Sequence, residues 1–269
     1  MAITTWEKYN YCSIITKVIL HGEKKKGRNG ITRSIFGETM RFDMPSMGFP
    51  VISGRKLYYK AALGEFTAFL NGAKTIDEFK KYGCNYWDRW ADSTGRLNID
   101  YGTVWRNTYG FNQLNYVRDK LKNDTNSRRI LIDTWRPEKL RNLSIPCCHF
   151  LYQWYIRDKN ILDMIWYQRS VDLMLGFPYD MVLAALWNIL LANEVNMTPG
   201  RLTFMLGDVH IYEEHFDNVT KYINNVRENN FNIVEYELDK TATVDNFTPD
   251  MLVLKNYNPL ESIKFILKE

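Results

Sequence analysis

Between residues 5 and 20, Trp6, Tyr9, Ile14, Ile15, Val18 and Ile19 recur at roughly helical spacing, which predicts an opening helix ended at Gly22. A basic, glycine-bearing stretch from Lys24 to Gly30 reads as a loop where the chain changes direction, and Ser34 to Phe42 then alternates as a strand does. Tyr58 to Leu70 predicts a buried helix closed by Asn71-Gly72, and Thr75-Ile-Asp-Glu78 has the form of a capping box opening a shorter one. Tyr109 to Lys122 is amphipathic and helical, ending at Asn123-Asp124, after which Arg129 to Trp135 is β-rich. From His149 to Leu175 aromatic and aliphatic residues dominate, broken by the turn-like Arg157-Asp-Lys-Asn160, which predicts a long antiparallel pair. Pro178 and Asp180 then open an apolar helix through Leu191, Leu202 to Leu206 resumes strand character, and His215 to Val226 reads as helix.

Helices interspersed with strands, without a regular βαβ rhythm or a G-x-G-x-x-G fingerprint, point to an α+β fold rather than a doubly wound one. With 269 residues and 45% hydrophobic content the chain can bury one large core, and no repeat, low-complexity tract or linker divides it, so residues 1–269 read as a single domain. No stretch approaches the roughly 18 apolar residues of a membrane span, and the first residues do not resemble a signal peptide. A cytoplasmic protein is expected, with no membrane partner.

Thirty-five Lys and Arg against 31 Asp and Glu give a net charge of +4, too mild for general DNA or RNA binding and better suited to an anionic small molecule. Cys12, Cys84, Cys147 and Cys148 lack metal-type spacing, and a disulfide between the adjacent pair would be strained, so a reducing compartment is expected. His210 and His215, five apart and without a third ligand, make a weak metal site, and none is expected.

Cys148 stands next to His149 just before a predicted strand, and as a nucleophile it needs electropositive surroundings that Arg169 in the paired strand could supply. Its plain reading is a small buried filler. Arg128 and Arg129 sit at a loop-to-strand junction, where a solvated corner is the plain reading, and Lys24 to Lys26 read as a solvated basic face.

Several longer motifs occur in order: Trp87-Asp-Arg-Trp-Ala-Asp92, Ser127-Arg-Arg129, Pro146-Cys-Cys-His149, Gln168-Arg-Ser170 with Asp172 and Gly176-Phe-Pro178, and Gly207-Asp-Val-His-Ile-Tyr212. Together they resemble the thymidylate synthase superfamily from Arg28 to Tyr257-Asn-Pro259. The resemblance implies a homodimer of α+β subunits whose large twisted mixed sheets, flanked by helices, pack back to back and share active sites. It implies 5,10-methylenetetrahydrofolate as co-substrate and a pyrimidine deoxynucleoside monophosphate as acceptor. The nucleotide phosphate would be held by Arg28, Arg169 and Ser170 of one chain with Arg128 and Arg129 of the other, since guanidinium forks suit a dianion. Cys148 would be the nucleophile, Glu65 the general acid/base, Tyr101 the residue associated with removal of the carbon 5 proton, and His149 a further member of the catalytic group. His210 and Tyr212 would bind the sugar, Gln168 and position 180 the base, and Trp87, Trp90, Asp172 and Gly176 the folate.

The chain departs from the family at Asp180, where thymidylate synthases carry Asn. An ionised carboxylate offers only acceptors, a mismatch against uracil oxygen 4 but a match to the exocyclic amine of cytosine, and the superfamily's deoxycytidylate hydroxymethylases also carry Asp there. The plain reading of Asp180 is a cap for the helix opening near Pro178, and a desolvated Asp180 could stay neutral and imitate Asn. Leu260-Glu261 replaces the family's His-Pro and the end is charged, which suggests a wetter lid, although Trp87, Trp90 and His149 look like the methyl-forming enzymes. Cys147 and Arg33 are further departures. The expectation is dCMP 5-hydroxymethylation, as in phages with altered cytosine, with dCMP methylation, dUMP methylation and a silent nucleotide- or RNA-binding homologue as alternatives.

Overall fold

The computed structural model describes residues 2–268, and its centre is a six-stranded mixed sheet. In chain order the strands are β1 (Glu23–Gly27), β2 (Gly30–Asp43), β3 (Leu131–Asp133), β4 (His149–Arg157), β5 (Ile161–Asp172) and β6 (Thr198–Tyr212). They lie in the order β1-β2-β6-β5-β4-β3, antiparallel throughout except for the parallel pair β5 and β6. The principal helices are α1 (Cys12–His21), α2 (Tyr59–Leu70), α3 (Gln113–Asn123), α4 (Gly176–Glu194) and α5 (Phe216–Glu228). The result is the expected α+β architecture. No helix among the described residues is long and apolar enough to cross a membrane.

One face of the sheet is the core. Met40, Phe42, Tyr152, Trp154, Met164, Trp166, Leu202 and Phe204 are each at most 2% exposed, and α4, apolar on nearly every side, packs on them through Trp187 and Phe177. Asn188 of α4 ties helix to sheet by donating to the Leu162 carbonyl at 2.8 Å. Successive side chains alternate between faces, so the intervening residues form cross-strand rows on the other side. One row runs Leu131, Gln153, Ile165, Thr203, Arg41, and a second Asp133, Leu151, Tyr167, Met205, Thr39.

Several boundaries differ from the pattern reading. The basic stretch is not a loop: Glu23–Gly27 is strand β1, held by pairing with β2, and the turn is confined to Arg28 and Asn29. Its single hydrogen-bonded edge, against β2, defines it, which an all-polar sequence cannot advertise. β2 starts at Gly30, and β6 spans Thr198–Tyr212 rather than a short central run. Helix α3 starts at Gln113, because Tyr109 and Gly110 turn with positive φ and Asn112 caps the helix by accepting from the Asn115 amide at 2.9 Å. The capping box at Thr75 forms as expected, opening Ile76–Lys80. β5, α4 and β6 make one βαβ unit, which the apparent lack of βαβ rhythm had hidden.

Helix α4 begins at Gly176, ahead of Pro178. Proline is tolerated in a first turn, where its missing N–H is not needed. Asp180 therefore lies inside the helix, which has no side-chain cap; Asp172 instead holds the turn leading into it, its Oδ1 accepting from the amides of Met174 and Leu175 at 2.9 and 3.1 Å. The reading of Asp180 as the cap is overturned.

Candidate active site

The C-terminal half of β5, the first residues of β4 and the first turns of α4 converge on a cavity of about 350 Å³. Pairing sets the convergence: His149 lies opposite Gln168, and Asp172 opposite His210. Gly207 lets β6 close on β5 here, since a Cβ on it would sit 2.7 Å from the Arg169 carbonyl oxygen. The cavity wall contains Glu65 from α2, Trp87, Trp90 and Tyr101 from the following loops, Cys148, His149, Gln168, Ser170, Asp172, Gly176, Asp180 and His210.

Cys148 is half-buried and its amide donates to the Tyr101 hydroxyl at 2.5 Å. Tyr101 is fixed by stacking on Phe69 at 4.9 Å and by Gly102, whose φ of +73° and close approach to the Phe69 carbonyl leave no room for a side chain. Burial pushes the Cys148 thiol up, with the Arg169 guanidinium opposing it and the Asp180 carboxyl adding to it. The expected electropositive surroundings are thus only partial. Arg169 donates to the carbonyls of Cys147 and Pro146 at 2.7 and 3.0 Å and lies over the Trp135 ring, so it shapes the loop that presents the thiol. All four cysteines are free.

His149 is enclosed between Tyr101 and Trp166, with ring centroids 4.6 and 4.2 Å away. Burial pushes its pKa down to about 3, so the ring is neutral. Its Nδ1 is 2.7 Å from the Tyr152 hydroxyl, and its Nε2 is 3.7 Å from Asp180 Oδ1. That second distance is within ion-pair range, but burial, with Glu65 and Asp172 nearby, pushes the Asp180 carboxyl well above its usual range, so charge attraction does not hold the pair. Asp180 instead accepts from the Gln168 amide at 2.7 Å.

Glu65 is 8% exposed and accepts from the Trp87 indole N–H at 2.8 Å. Burial pushes it up to about 7, with Trp87 and Tyr86 opposing. A carboxyl poised there can take or give a proton at neutral pH. On the same wall His210 is drawn upward: burial works against its charge, but the Asp208 hydrogen bond and the Asp172 carboxylate outweigh it.

The arginines behave differently. Arg28 is exposed at the β1–β2 turn, donating to Asn29 Oδ1 at 2.9 Å beside half-buried Tyr212, and neither Arg28 nor Tyr212 belongs to the cavity wall. Arg128 and Arg129 are exposed ahead of β3, and they too are absent from this wall. Arg33 pairs with Glu213 at 3.1 Å. Pattern reading missed Phe69, Tyr86, Ile145, Leu175, Tyr179 and Leu267 of the wall. The C-terminal segment reaches this wall. Leu267 faces the cavity while Lys268 pairs with Glu214 at 2.5 Å, and the segment is pinned where Asn218 donates to the Lys264 carbonyl and His215 Nε2 meets the Ile266 carbonyl.

A thymidylate synthase family profile matches residues 9–268. The chain belongs to the thymidylate synthase family. Its activity is accordingly folate-dependent one-carbon transfer to carbon 5 of a pyrimidine nucleotide. The wall suits the family's methylenetetrahydrofolate: Trp87 and Trp90, 5.1 Å apart, form an aromatic shelf, Gly176 leaves the start of α4 bare, and Asp172 lines the same cavity with a carboxyl able to accept from ring N–H groups. Among the described residues no cluster of His, Cys, Asp and Glu could hold a metal ion.

Proposed function

We propose that this thymidylate synthase-family protein hydroxymethylates dCMP at carbon 5, using 5,10-methylenetetrahydrofolate and water. The observation that carries this reading is Asp180, a carboxyl in the cavity beside Cys148 where the family has an amide. Once ionised it accepts from the cytosine amine, and it accepts from nitrogen 3 as well when thiol addition makes that nitrogen basic and protonated. The second contact strengthens as the intermediate forms, which lowers the barrier rather than merely tightening binding.

Cys148 Sγ adds to carbon 6 and turns carbon 5 into a nucleophile. Bound methylenetetrahydrofolate supplies the one-carbon unit. Glu65 moves protons around the base, with its pKa of about 7 matched to that work, and Tyr101, 2.5 Å from the Cys148 amide, stands where the carbon 5 proton leaves. His149 stays neutral beside the base, Gln168 orients Asp180, and His210 with Tyr212 binds the sugar. Ser170, Arg28 and Arg169 of one protomer hold the phosphate with Arg128 and Arg129 of its partner. A back-to-back homodimer is supported by the outer sheet rows, which leave Leu131, Tyr155 and Met205 at 36, 65 and 42% exposed.

A second reading, dUMP methylation, is favoured by two observations. Burial holds the Asp180 carboxyl toward its neutral form, which can donate as an amide does, and Leu267 brings an apolar side chain to the cavity mouth. Incubation with methylenetetrahydrofolate and either nucleotide separates the readings by product mass and dihydrofolate absorbance. Hydroxymethylation of dCMP without an absorbance rise is expected. A rise with dUMP alone overturns it, and inert Cys148 points to a binding homologue.

A further inference from the structure

Tyr86 lies on the same wall as Glu65, and its phenol oxygen is buried with no hydrogen-bond partner among the described residues. Its ring packs edge-on against Tyr179, with 6.0 Å between centroids at 65°. Phenylalanine would make that contact equally well without burying a hydroxyl, so packing alone does not account for the oxygen. The phenol and the Glu65 carboxyl are close enough to couple. Tyr86 draws the Glu65 pKa down against burial, and Glu65 adds to the effect of burial in raising that of Tyr86. Yet no hydrogen bond of regular geometry joins them. A buried phenol oxygen and a carboxyl on one cavity wall, without a hydrogen bond of regular geometry between them, make a seat for a small molecule able to donate to one and accept from the other.

Resting on the hydroxymethylation proposed above, we infer that Tyr86 is a positioning residue which, with Glu65, holds the water that adds to the one-carbon unit on the nucleotide. Water bonded to Glu65 alone can swing about that bond. Water that donates to Glu65 and accepts from the Tyr86 hydroxyl is held at two points, with one lone pair left free to attack. In the step, the water oxygen bonds to the exocyclic methylene carbon of the Cys148-linked ring, and one water proton passes to the Glu65 carboxylate. The electron pair of the exocyclic double bond moves into the ring, the bond from carbon 6 to sulfur breaks as the 5,6 double bond re-forms, and Cys148 departs as thiolate. Nothing is oxidised or reduced. The neighbouring Trp87 indole donates to Glu65 Oε1, which limits the directions from which water can reach the carboxyl.

Tyr86→Phe removes the hydroxyl and keeps the ring. In crystals with dCMP and without folate, the wild type should show a water within hydrogen-bond distance of both Tyr86 Oη and Glu65, and Tyr86→Phe should lack it. With methylenetetrahydrofolate and dCMP tritiated at carbon 5, tritium release reports the steps before water addition. The variant should keep that release within about twofold while hydroxymethyl product falls about tenfold or more at unchanged KM. An added small thiol should then capture the stranded methylene as a thioether. Methyl product from the wild type sinks hydroxymethylation and the Tyr86 role together. Hydroxymethyl product from the wild type, with Tyr86→Phe equally fast or losing tritium release in proportion, overturns the Tyr86 role alone, as does a wild-type crystal without the shared water.

Discussion

The Gln168 side-chain amide donates to Asp180 Oδ2 at 2.7 Å, joining the end of β5 to the second turn of α4. The bond occupies one carboxyl oxygen and leaves the other, Oδ1, toward His149 and the cavity. On the proposed reading, base choice falls to a single oxygen whose direction is fixed by a neighbour.

Asp180→Asn should shift preference from dCMP toward dUMP. The amide donates where the carboxylate cannot, and a reversed donor against a buried acceptor is worth about 1–3 kcal/mol, or roughly 5- to 150-fold in relative kcat/KM. Competition between the two nucleotides, read by product mass, measures the shift. In the parent enzyme the two substrates should also diverge with pH: burial raises the Asp180 pKa, so dCMP turnover should gain as pH rises and the carboxyl ionises, while any dUMP turnover falls. Preference that ignores both the substitution and pH would remove Asp180 from base reading.

Glu65 makes a stability prediction of definite sign. Its pKa is about 7 in the fold against the ordinary 4.5, so between these values the folded protein binds more protons than the unfolded chain. Its contribution is complete below about pH 4.5 and is lost as pH rises to about 7, on the order of 3 kcal/mol in all. Buried neutral His149 acts oppositely. Its pKa falls to about 3, so its contribution is present above its ordinary 6.5 and is lost as pH drops. The Glu65 effect is thus read as a difference: between pH 4.5 and 6.5 the two slopes oppose each other in the parent, and denaturation of Glu65→Gln should show a rise of stability with pH that the parent lacks. Parallel profiles would show that the carboxyl is not desolvated as described.

Local elements were the ones legible in the sequence. The Thr75 capping box needs only four residues, and the β4–β5 hairpin needs only alternation on both sides of Arg157–Asn160. Strand β1 was hidden because its lysines are strands by virtue of β2, not by their own preference. Asp180 read as a cap because Pro178 seemed to open the helix, whereas Gly176 opens it and turns Asp180 inward. Chemical residues were found through motifs, but Tyr86 and Leu267 belong to the site only through contacts that sequence distance conceals. Arg128 and Arg129 show the complementary limit, since one chain places them on its surface.

Two glycines separate backbone strain from steric exclusion. Gly72 has φ +66° and open space around it, so Gly72→Ala should cost about 1 kcal/mol for the left-handed conformation alone. Gly102 has φ +73° and would place a Cβ only 1.9 Å from the Phe69 carbonyl, so Gly102→Ala should cost about 2–5 kcal/mol and displace adjacent Tyr101 from the Cys148 amide. Chemical denaturation gives the costs, and turnover should fall for Gly102→Ala only. Equal costs would mean that the Phe69 contact relaxes freely.

The proposed shared-site dimer makes the remaining prediction. Arg128 and Arg129 are exposed and absent from the cavity wall of their own chain, whereas Cys148 lies inside it. If each site draws its phosphate arginines from the partner, a heterodimer of Arg128→Ala with Cys148→Ala chains contains one site spoiled twice and one site intact. Each variant alone should be nearly inactive, Cys148→Ala for want of a nucleophile and Arg128→Ala through weaker nucleotide binding, seen as a raised KM. Random mixing after unfolding and refolding makes half of the dimers mixed, and each mixed dimer carries one good site of two, so about a quarter of parental activity should return. Mixing without subunit exchange should restore nothing. Recovery absent from refolded mixtures that sedimentation shows to be dimeric would place Arg128 outside the partner's phosphate site.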